Sequence, residues 1–129
     1  MIKMNYFLWV MFAACVAFTA FTFSKNESVR HVVVFKFKES ATASQIKEVT
    51  DAFRDLKNKI PGILSFEHGG NISPEKKDFG FHHVYLITFK NAAARDAYLP
   101  HPDHNNFGKI LGKLSIVEDV FVVDFQPEK

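Results

Sequence analysis

The residues of this chain that can do chemistry are few. Tyr98 and His104 lie six positions apart in Tyr98-Leu99-Pro100-His101-Pro102-Asp103-His104. An imidazole titrates near neutrality and serves as a general base. A phenol in the same pocket binds or protonates a developing enolate oxygen. The plainer alternative keeps both as structure: His104 caps a helix or ties down the Pro-rich loop, and Tyr98 packs in the core. Two more histidines, His31 and His83, stand on apolar stretches. Histidines so placed are commonly satisfied buried polar groups. His31 shares alternate positions with Val33, Phe35 and Phe37, and His83 with Phe81, Tyr85 and Ile87. If that face meets helices, both histidines enter one pocket with His104.

Other chemistries find little support. His101 and His104 are separated by a proline-containing gap that is not helical ligand spacing, and no further ligand set accompanies them, so no metal is expected. No Gly-x-Ser-x-Gly elbow is present, which argues against a serine hydrolase. Gly69-Gly70 reads as a turn rather than a phosphate loop, and no cofactor is expected. The formal net charge is +2, with basic residues scattered among acidic ones, which argues against a nucleic-acid partner. The single cysteine, Cys15, lies in the N-terminal apolar run, so the remainder has neither disulfide nor thiol chemistry.

These side chains must be positioned by one domain, since 129 residues leave room for little more. Residues 30–38 form a first strand, apolar at both parities. Thr42-Ala43-Ser44-Gln45 is a capping box. It opens a helix whose Ile46, Val49, Phe53, Leu56 and Ile60 build one apolar stripe, ended by Pro61-Gly62. A second strand covers residues 63–68, a polar loop covers 73–78, and a long third strand is expected over 79–89. Asn91 caps a short helix through Tyr98. The Pro-rich segment breaks it, and a further helix runs from about residue 105 to 114. Residues 116–125 close the sheet. The order β-α-β-β-α-β is the α+β, ferredoxin-like split pattern, with helices on one face of an antiparallel sheet. Strands apolar on both faces then leave one face to be covered, and the same face of a second copy is the simplest cover.

Several of these segments resemble the stress-responsive A/B barrel (Dabb) domains. The resemblance is carried by His31-Val32-Val33-Val34-Phe35-Lys36-Phe37-Lys38, Pro61-Gly62 with Phe66-Glu67-His68-Gly69, and Phe81-His82-His83 leading into Thr88-Phe89. The Tyr-x-x-His-Pro-x-His element at 98–104 and Val122-Val123-Asp124-Phe125 complete it. It spans residues 29–126 and implies a dimeric α+β barrel. In a polyketide cyclase of that family, the catalytic Tyr and His match Tyr98 and His104, and two further pocket histidines match His31 and His83. A pocket Tyr of the cyclase falls at Phe53, which removes a polar group. The site implied is thus His31, Phe53, His83, Tyr98 and His104, with Tyr98 and His104 as the catalytic candidates.

Residues 1–24 read as an export signal, with Lys3 ahead of the uncharged run 6–23 and small Thr22 and Ser24 before a cleavage point. A retained membrane anchor and a lipoprotein modified at Cys15 are the alternatives. The expectation is an exported homodimer, periplasmic or secreted, binding a small apolar or aromatic ligand in a His- and Phe-lined pocket. A cyclase- or lyase-like enzyme using Tyr98 and His104 is the alternative. A non-catalytic role in stress protection or assembly is a second one.

Overall fold

The computed structural model describes residues 27–129. The expected export signal at 1–24, with its anchor and lipoprotein alternatives, lies outside them. The elements run β1 (Val29–Phe37), α1 (Ala43–Lys59), β2 (Ile63–Gly70), β3 (His83–Phe89), α2 (Ala92–Tyr98), α3 (Pro102–Leu114) and β4 (Val117–Phe125). The four strands form one antiparallel sheet in the order β2-β3-β1-β4. This is the ferredoxin-like α+β fold.

Local chemistry explains the boundaries. The capping box of α1 forms in full: the Thr42 hydroxyl accepts from the Gln45 N–H at 3.2 Å, and Gln45 Oε1 accepts from the Thr42 N–H at 3.0 Å. Gly62 turns the chain after α1 with φ of 91°, a left-handed conformation that favours glycine. The third strand begins later than expected, at His83 rather than residue 79. Residues 78–81 form a tight turn instead, with Phe79 and Gly80 at positive φ and both the Gly80 and Phe81 N–H groups bonded to Asp78. Positive φ cannot propagate a ladder. The last helix begins earlier than expected. Pro102 opens it rather than breaking it, because a proline at the first helical position has no N–H to leave unpaired. His101 is its cap, accepting the Asp103 N–H on Nδ1 at 3.1 Å.

Register fixes what each face of the sheet carries. On the inner face, His31 pairs with Ile87 and Asp124, Val33 with Tyr85 and Val122, and Phe35 with His83 and Val120. The helices cover most of this face, burying Val49, Phe53 and Leu56 of α1 and Phe107 of α3 with Val33, Phe35, Tyr85 and Phe89. On the outer face, Val32, Val34, Val84 and Leu86 are half-buried, while Phe121, Val123 and Phe125 are exposed. The centre of the outer face is therefore an apolar patch with no helix behind it among the described residues.

Candidate functional site

A cavity of about 440 Å³ opens between the inner face of β1 and β4 and the helices α2 and α3. Its body is apolar: Val33 and Phe35 from β1, Phe53 from α1, Phe107 and Leu111 from α3, and Val120 and Val122 from β4. Its polar groups are His31, Tyr98, His104 and Asn105. An apolar enclosure with a few polar groups is the usual form of a small-molecule site.

His31 is buried, and its Nδ1 lies 2.5 Å from Asp124 Oδ1. A carboxylate accepts only, so Nδ1 carries the proton and Nε2 is left to the cavity. Arg95 donates from Nη1 to the other oxygen, Asp124 Oδ2, and from Nε to Asp96 Oδ1 at 2.8 Å. The carboxylates of Asp96 and then Asp124 hold the Arg95 guanidinium above its usual range. Asp124 therefore sits between an imidazole from β1 and a guanidinium from α2.

Tyr98 ends α2 and is fully buried. Its ring packs 5.0 Å from Phe89, 5.7 Å from His31 and 4.2 Å from His104, centroid to centroid. Its hydroxyl finds no hydrogen-bond partner among the described residues. Burial first, and the Asp124 charge second, push the phenol far above its ordinary range, so at neutral pH it is a donor. His104, in the first turn of α3, is half-exposed and stands in front of this ring. Its Nδ1 donates to the Leu99 carbonyl at 2.9 Å, which leaves Nε2 as a proton acceptor. His104 thus ties the Pro-rich loop and lines the cavity at once.

Of the five site residues expected from sequence, His31, Phe53, Tyr98 and His104 share this cavity, and His83 does not. His83 is on the inner face, as parity requires, but it sits opposite Phe35, four residues along β1 from His31. At about 3.3 Å per residue that is roughly 13 Å. Its ring packs 4.9 Å from Phe37. Desolvation first, then the neighbouring His82, lowers its proton affinity. Phe53 stacks on Phe107 at 4.5 Å and forms part of the apolar body. Among the described residues no group of three or more His, Cys, Asp or Glu is placed to hold a metal.

Sequence reasoning passed over Asp124 and Arg95. Asp124 had a signal, as the only carboxylate at the even positions 120, 122 and 124 of an apolar strand. Arg95 had one through its i, i+3 spacing to Tyr98, which places both on one face of α2.

The family model described as the stress responsive A/B barrel domain matches residues 29–127. Olivetolic acid cyclase of Cannabis sativa is 29% identical over 102 residues, covering 79% of this chain and 99% of that protein. The stress-response A/B barrel domain-containing protein HS1 of Arabidopsis thaliana is 30% identical over 99 residues, covering 77% and 89%. A dimeric ferredoxin-like protein from Jannaschia sp. superposes with a TM-score of 0.66 at 28% identity, covering 78% of this chain and 99% of the other.

Proposed function

From the premise that the chain belongs to the stress-responsive A/B barrel family, we propose that it binds a small apolar or aromatic ligand in the cavity between β4 and α3. The carrying observation is the Tyr98 hydroxyl, buried and without a hydrogen-bond partner among the described residues, on a side chain that helps line a mostly apolar cavity. Leaving a buried hydroxyl unpaired costs about 1–3 kcal/mol. A ligand oxygen that accepts from it, reached past the His104 ring, recovers that cost. The ligand accordingly has an apolar body for Phe53, Phe107 and Leu111 and an acceptor oxygen for the Tyr98 end.

A second reading, proton transfer on such a ligand, is favoured by the His104 tautomer. The Leu99 carbonyl holds the proton on Nδ1, so Nε2 is free to take a proton from a bound carbon acid, with Tyr98 as donor to the developing oxyanion. The relationship to a cyclase agrees with this reading. The proposal includes a homodimer, supported by the apolar outer sheet face and by the dimeric state of the Jannaschia protein. It also includes export, supported by Lys3 followed by the uncharged run 6–23.

Titration of the full chain with benzyl alcohol, followed by side-chain methyl and imidazole NMR, tests the site. Perturbed resonances of Val33, Leu111, Val120, Val122 and His104, with the Val32 and Val34 methyls unmoved, are expected. Shifts confined to the outer-face valines, or none, would remove the cavity reading.

A further inference from the structure

Arg95 does not line the cavity, yet it pairs with the carboxylate that holds a group that does, His31. Asp124 has one carboxylate oxygen on His31 Nδ1 and the other on Arg95 Nη1. The Asp124 and Arg95 side chains are each about three-quarters buried, and that of His31 is 7% exposed. An aspartate this close to an imidazole favours the imidazolium unless another cation claims the carboxylate. Arg95 is that cation. The other charged or titratable groups gathered here are Tyr98, a neutral donor from α2, His104 from α3, and Asp96 on the far side of Arg95. Phe89 of β3 covers the His31 ring and carries no charge.

We propose that Arg95 is a specificity-determining residue: by pairing with Asp124 behind His31 it keeps the imidazole uncharged, and the cavity therefore takes uncharged ligands. Burial explains the choice: Arg95 touches both Asp96 and Asp124, but the Asp96 carboxylate is 65% exposed and solvated, whereas that of Asp124 is 25% exposed. The Arg95 charge therefore serves mainly to balance Asp124 behind the cavity wall. Without Arg95, the balancing proton goes to His31, and the cation moves from behind the wall into the wall itself. His31 then has no Nε2 lone pair for a ligand hydroxyl, and the wall attracts anions. Anchorage is part of the device. Arg95 and Tyr98 lie one turn apart on α2, so the ion pair that sets the charge also joins that helix to β4. The ligand class rests on reading the cavity as a ligand site; the charge state of His31 does not.

The test separates the two. Imidazole ¹⁵N spectra of the ligand-free full chain at pH 7 report His31 directly. The wild type should show neutral His31 protonated on Nδ1. Arg95→Met and Arg95→Gln should raise the imidazolium-to-neutral ratio of His31 by about tenfold, the effect of about one pH unit from a lost neighbouring charge. Arg95→Lys should restore the wild-type spectrum. Gln keeps a hydrogen bond to Asp124, so it answers the question if the Met variant fails to fold. A His31 spectrum unchanged in Arg95→Gln, or already imidazolium in the wild type, overturns the proposal. Benzyl alcohol and benzoate then read the ligand class. The wild type should prefer the alcohol, and Arg95→Gln should move the ratio toward benzoate by about tenfold. An unmoved ratio overturns the specificity role. Binding of neither probe to the wild type overturns the cavity reading and the ligand class with it, while the His31 spectrum still decides what Arg95 does.

Discussion

Tyr98→Phe should make the ligand-free protein more stable and its ligand binding weaker. The ring keeps its packing against Phe89, His31 and His104, at 5.0, 5.7 and 4.2 Å, so shape is conserved. What leaves is one hydroxyl that is buried and unpaired. An unsatisfied buried hydroxyl costs about 1–3 kcal/mol, so removing it should return about 1–2 kcal/mol. For a domain of this size each kcal/mol moves the Tm by about 4–8 °C. Urea unfolding at fixed protein concentration should show a higher midpoint with an unchanged slope. Affinity for a ligand that accepts from Tyr98 should fall by about tenfold, the value of one good hydrogen bond. The opposite signs carry the argument. A destabilised Tyr98→Phe would mean that the hydroxyl is satisfied in the native state, and the reasoning from its missing partner would fail.

Gly62→Ala should cost about 2–4 kcal/mol in urea unfolding, since the backbone there has φ of 91° and the new Cβ would lie 2.6 Å from that of Ala94. Phe53→Ala should cost about 3–5 kcal/mol, because Phe53 is 2% exposed and packs on Phe35, Tyr85 and Phe107. A loss below about 1 kcal/mol in chemical denaturation would show that the cavity collapses around it. His83 is harder to protonate in the fold than its ordinary value of 6.5, chiefly through desolvation. The unfolded chain therefore binds the proton at higher pH, so stability should rise with pH from the lowered folded value up to that point and then level off. His83→Phe should flatten that rise in midpoints measured across the range, and an unchanged profile would assign the rise to other groups.

Periodicity carried the fold far. The capping box at Thr42, the stripe through Phe53 and Leu56, and the two-faced apolar character of β1 all follow from spacing that the backbone cannot evade. Residues 78–81 escaped because Phe79-Gly80-Phe81 looks like strand in composition, whereas the Asp78 hydrogen bonds select a turn. Pro102 misled for a related reason: the same residue ends one helix or starts another according to whether its N–H is needed. In the site, parity placed His31 and His83 on the same face, and it was right about the face. It says nothing about distance along the strand, and that separated His83 from the cavity. Asp124 needed cross-strand register, which becomes legible only once β1 and β4 are known to be neighbours.

The last strand carries a further consequence. β4 is at the edge of the sheet, with exposed apolar side chains on both faces and no strand beyond it among the described residues. Val120-Phe121-Val122-Val123 is a short, uncharged, strongly β-forming run, bracketed by Glu118-Asp119 and Asp124. Segments of that kind template intermolecular sheets when left bare, and flanking carboxylates restrain them only through repulsion. Left uncovered, this strand is therefore an aggregation-prone edge. Under the homodimer proposed above, dissociation should appear as turbidity and rising light scattering before it appears as a monomer peak.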